Sequence, residues 1–88
     1  MRIRNRYLLE LLLTIARLGR QDVSAALLVE AWKEQGRVVD DAFFLHYEML
    51  FDYRFVNRLE QPPDADEPAD QLLTMTTDGA NFLERYYT

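Results

Sequence analysis

Between Asn5 and Leu18 polar side chains fall at Arg6, Glu10, Thr14 and Arg17, every three or four residues. The positions between them are apolar: Tyr7, Leu8, Leu9, Leu11, Leu12, Leu13, Ile15, Ala16 and Leu18. That is helical spacing, but the apolar arc is wider than the stripe a helix needs against a single core. Either the helix is buried on two sides within one chain, or its second side meets another subunit. Gly19 is a natural stop. A second helix is predicted over residues 23–35, capped by Asp22, buried through Leu27, Leu28, Ala31 and Trp32, and closed by Gly36. A third is predicted to start after Asp40, a good N-cap, and to run to about Tyr53. Phe43, Tyr47, Leu50 and Phe51 form its core stripe, while Asp41, Leu45, Glu48 and Asp52 share an opposite face.

The period then changes. In "RFVNRLE" Phe55, Asn57 and Leu59 alternate with Val56, Arg58 and Glu60, the pattern of a strand. "QPPDADEPAD", residues 61–70, is a Pro- and acid-rich loop, and "QLLTMT" reads as a returning strand. Thr77 is the expected cap of a final helix, "DGANFLERYY", with Ala80, Leu83 and Tyr87 on one side. The order is helix, helix, helix, strand, loop, strand, helix, which is winged-helix order.

Two segments resemble small winged-helix proteins, bacterial or phage type. "LHYEMLFDYRFVNRLE" is similar to the third helix and first wing strand of that family. "LLTMTTDGANFLERY" is similar to the second wing strand leading into a terminal helix, the LT-x-x-G-x-x-F/L pattern common there. The resemblance extends from about Arg6 to Tyr87. One departure is clear: family members usually carry a small residue or Gly where Asp52-Tyr53-Arg54 stands. The resemblance implies a mainly α fold with a small β-hairpin (α+β), a single domain over 1–88 with a basic arm at 1–5 and a wing loop at 61–70. It also implies DNA binding through the third helix and wing, and pairing of terminal helices into dimers.

Charge changes that picture. Residues 1–20 hold five Arg and one Glu, whereas residues 21–88 hold five basic and fourteen acidic side chains, for a net charge of −5. Duplex DNA binding draws most of its affinity from phosphates neutralised by Lys and Arg. The front of the third helix is instead Asp40, Asp41, Ala42, Phe43 and Phe44, and the wing carries Asp64, Asp66, Glu67 and Asp70. Both elements that would touch DNA have the wrong sign. The candidates for nucleic-acid contact are Arg2, Arg4 and Arg6 of the arm, together with Arg20 and Arg37. A protein partner with a basic surface fits better, and its candidate contacts are Asp41, Glu48, Asp52, Asp64, Asp66, Glu67 and Asp70. Self-association is the other expectation, through Tyr7, Leu9 and Leu13 of the first helix and Phe82, Tyr86 and Tyr87 of the last.

Catalysis and cofactors are not expected. There is no cysteine, and Ser24 and His46 are the only serine and histidine, with nothing in their spacing to bring them together. A lone histidine lacks the companions that a metal ligand needs. Asp64, Asp66 and Asp70 mimic the start of a calcium loop, but Ala69 and Met75 stand where that loop needs Gly and Glu. "MRIRNRYLLELLLTIA" superficially resembles a signal peptide, yet Glu10 interrupts it and no cleavage site follows. The expected compartment is the cytoplasm, without a membrane span. The expected function is that of a small non-enzymatic regulator or inhibitor acting by binding, of a size that suits a phage or mobile element. The alternatives are a DNA-binding regulator using the N-terminal arginines and a structural assembly subunit.

Overall fold

The computed structural model describes residues 2–58 and 71–87, the side chain of Tyr87 excepted. It is an α+β domain of four helices and a small antiparallel sheet: α1 (Asn5–Leu18), β1 (Val23–Ser24), α2 (Ala25–Glu34), α3 (Asp41–Asp52), β2 (Val56–Arg58), β3 (Leu72–Met75) and α4 (Thr77–Tyr87). The sheet order is β1-β3-β2, with Val23 opposite Leu73 on one side of β3 and Val56 opposite Met75 on the other. The layout is compatible with a winged-helix arrangement and adds one element to the expected order, the short strand β1. The wing loop at 61–70, with Asp64, Asp66, Glu67 and Asp70, lies outside the described residues.

The breadth of the apolar arc on α1 has its cause within the chain. Leu8, Leu11, Leu12 and Ile15 are completely or almost completely buried, and the helix packs against α2, α3, α4 and β3. Tyr7, Leu9, Leu13 and Ala16 widen the buried arc on its two flanks. A central helix with neighbours on several sides needs more than one stripe. Gly19, at φ +130, ends it: the Gly19 and Arg20 amides turn back onto the Ala16 and Ile15 carbonyls, the hydrogen-bond pair of a Schellman motif.

The second helix starts later than the sequence predicts, and Asp22 does not cap it. Val23 and Ser24 are extended because they pair with Leu73 and Leu72. Asp22 sits at positive φ with its amide donating to Thr74 Oγ1, and Ser24 takes the N-cap position without a side-chain capping bond. Leu28 and Trp32 are buried and Ala31 is half-buried, but Leu27 faces solvent at 51% exposure. α3 follows its expectation. Asp40 accepts from the Phe43 amide at 3.1 Å, Phe43 and Leu50 are buried, and Tyr47 and Phe51 are half-buried.

At α4 the capping residue is Thr76, not Thr77. Thr76 Oγ1 accepts from the Gly79 amide at 3.0 Å and donates to the Arg54 carbonyl at 2.6 Å, tying the helix start to the α3–β2 turn. Arg54 holds φ 60 in that turn. A left-handed conformation, which favours glycine, is therefore occupied here by an arginine.

Candidate protein-binding face

The site is built around the outward side of α3. Asp41, Phe44, Glu48 and Asp52 follow one another at helical spacing and all are exposed. Leu45, expected among them, is half-buried. Phe44 was not singled out by the charge pattern, yet it is 55% exposed in the middle of this face. Its ring rests edge-on against buried Phe43, which holds it outward.

Beside Phe44 runs a groove of about 580 Å³. Ala25, Ala26, Val29 and Glu30 of α2 form one wall, and Phe44 and Glu48 of α3 form the other. Phe43 and Tyr47 lie between them, with Arg58 and Gln71 at the sheet end. The two alanines keep the α2 wall low, so the groove is open and mostly apolar. Burial pushes the Tyr47 phenol above its ordinary value, against the opposing pull of Arg58. Arg58 lines this groove and is already engaged. It pairs with Glu48 at 3.0 Å and lies over the Phe51 ring at 3.9 Å. Glu30 adds a carboxylate on the α2 side, so with Glu48 paired to Arg58 the rim keeps a net negative charge.

The basic arm lies along another flank of α3. The Arg4 amide donates to His46 Nε2 at 2.9 Å, and His46 Nδ1 lies 2.6 Å from the Ala42 carbonyl. Nδ1 therefore carries the proton and Nε2 accepts. The imidazole is 1% exposed and stacks on Tyr7 at 4.1 Å. With both ring nitrogens committed to backbone, His46 fastens the arm and has no nitrogen left for proton transfer or metal ligation. Among the described residues no group of three or more His, Asp or Glu is placed to hold a metal ion.

The arginines proposed for nucleic-acid contact do not share one surface. Arg2 and Arg4 gather near His46 and Ala42, and Arg6 follows on α1 beside Glu10. Arg37 is part of the fold: its guanidinium bonds Glu10 at 2.6 Å and lies 4.5 Å from the Trp32 ring centre. That hydrogen bond, the largest influence, holds the Glu10 carboxyl below its ordinary value, with burial opposing it. Arg20 stands past the far end of α1, roughly 20 Å of helix away from Arg6.

The residues proposed for self-association are largely engaged within the chain. Tyr7 faces Trp32 and His46, and Phe82 stacks on Phe55 at 4.6 Å. Leu9 and Leu13 are half-buried, and only Tyr86 among the described aromatics of α4 is mostly exposed, at 52%. No helix among the described residues is long and apolar enough to cross a membrane. No family model, curated protein or solved structure matches the chain.

Proposed function

We propose that this chain is a winged-helix-type domain that acts by binding rather than catalysis, presenting the outward face of α3 to a basic protein surface. The observation that carries the reading is the composition of that face. In winged-helix order it is the position of the reading helix, and here it displays Asp41, Glu48 and Asp52 around an exposed Phe44. Arg58, which lines the groove beside it, is engaged by Glu48 and Phe51. Carboxylates at this position repel a phosphate backbone and attract Lys- and Arg-rich surfaces. An exposed aromatic ringed by charge suits a protein interface, where aromatic residues are enriched.

A second reading, DNA binding through Arg2, Arg4 and Arg6, draws support from one contact. The arm is fastened to α3 by the Arg4–His46 hydrogen bond, so its charges flank the helix. Titration of labelled duplex DNA at several salt concentrations separates the two. The protein-binding reading expects no association even at about 50 mM salt. Micromolar binding at physiological salt that disappears in the Arg2→Ala/Arg4→Ala/Arg6→Ala variant overturns it in favour of DNA. Self-association through α1 and α4 remains a separate proposal, resting on exposed Tyr86 beside Leu9. Sedimentation should then show a dimer that Tyr86→Glu dissociates, and a monomer at all concentrations sinks the proposal.

A further inference from the structure

From the groove between α2 and α3 we infer a docking site for a short amphipathic helix of another protein, with apolar anchors and Lys or Arg on its flanks. The inference rests on the protein-binding reading above and names the form its partner takes. The groove has an apolar interior at Val29, Phe43 and Tyr47 and a protruding apolar lip at Phe44. Ala25 and Ala26 let a guest backbone approach closely. The wall from Ala25 to Glu30 is about 7 Å long at 1.5 Å per residue, little more than one helical turn. That length takes two anchors on a guest helix, spaced i and i+4.

Charge complementarity decides what surrounds the anchors. Glu30 and Glu48 stand on opposite walls, and Asp41 and Asp52 extend the same sign along α3. Arg58, the cation lining the groove among the described residues, and Glu48 compensate each other, which leaves Glu30, Asp41 and Asp52 to set the sign. A guest with basic flanks is therefore favoured, and an acidic or neutral one is not. A second copy of this chain does not meet the requirement. A two-fold contact through this face would set Glu30, Asp41 and Glu48 against their own equivalents. The chain's own helix with basic flanks, α1, has its apolar side buried in the core.

The test selects peptides from a displayed library of helix-forming sequences against the immobilised full chain. The affinities of the selected peptides are then measured for the wild type and three surface variants. Selected sequences should combine two apolar residues four apart with flanking Lys or Arg. Ala26→Glu is the decisive variant because it obstructs the groove while adding negative charge. Docking in the groove expects it to weaken binding about tenfold, and Phe44→Ala to do the same. Attraction by charge alone expects Ala26→Glu to tighten binding. The variant Asp41→Asn/Glu48→Gln/Asp52→Asn should weaken binding and flatten its salt dependence. If that variant loses binding while Ala26→Glu and Phe44→Ala do not, the groove inference fails and the acidic-face reading survives. If basic residues are not selected and the acid-to-amide variant binds normally, the acidic-face reading fails. Selection of no helical peptide binding at micromolar concentration overturns the groove as a docking site. Ala26 and Phe44 are exposed, so both single variants retain the fold, which circular dichroism verifies.

Discussion

Replacing Gly79 by alanine reverses the usual sign of that substitution in a helix. In an open helix Gly→Ala gains about 1 kcal/mol, because alanine has the better propensity. Gly79 lies in the first turn of α4, directly over the α3–β2 turn. A Cβ there runs into the Phe55 carbonyl oxygen and lies 3.1 Å from Met75 Cγ. The methionine can rotate, but a backbone carbonyl cannot. The same Phe55 carbonyl accepts the Thr76 amide at 2.9 Å, so pushing the helix away strains a second link. Overpacking costs about 1–3 kcal/mol, here near the top of that range because the obstacle is main chain. Weakening the hydrogen bond adds about 1 kcal/mol. Set against the propensity gain, the net loss is about 3 kcal/mol. Urea unfolding followed by Trp32 fluorescence reads it directly. With a slope of about 1 kcal/mol/M for so small a chain, the midpoint should fall by about 3 M with the slope unchanged. An unchanged or higher midpoint would refute the close approach of α4 to Phe55.

Arg54→Gly should raise stability by about 0.5–1 kcal/mol, since Arg54 holds φ 60 where glycine carries no Cβ penalty; a lower urea midpoint contradicts this. His46→Phe keeps a ring against Tyr7 but removes the acceptor for the Arg4 amide. It should cost about 1–3 kcal/mol and accelerate hydrogen exchange at Arg4, whereas unaltered exchange there speaks against the fastened arm. Glu10 is held below its ordinary value of 4.5, chiefly by Arg37, so its contribution is present above that pH and is lost as pH falls through the folded value. Glu10→Gln should therefore be less stable than wild type at neutral pH, with the gap closing on acidification. A gap independent of pH is inconsistent with the Glu10–Arg37 pairing.

The sequence by itself determined what depends on near neighbours. The span of α1 follows from polar residues every three or four positions and a glycine that accepts positive φ, and the start of α3 follows from the cap at Asp40. The alternation around Val56 was legible in the same way, as were the acids on the outward side of α3, whereas the cap of α4 was placed one residue late, at Thr77 instead of Thr76. Tertiary structure alone decided where distant segments meet. The start of α2 is set by β3, about fifty residues further on, because Val23 and Ser24 pair with Leu73 and Leu72 instead of continuing the helical pattern. The role of Thr76 depends on the Arg54 carbonyl, and the burial of His46 on the arm and on Tyr7. The arc on α1 was visible as a width, but a one-dimensional pattern cannot say whether its neighbours belong to the same chain. The groove has no sequence signature for the same reason. Its walls come from separate helices, and which side chains leave a gap between them is fixed only when both pack against the core.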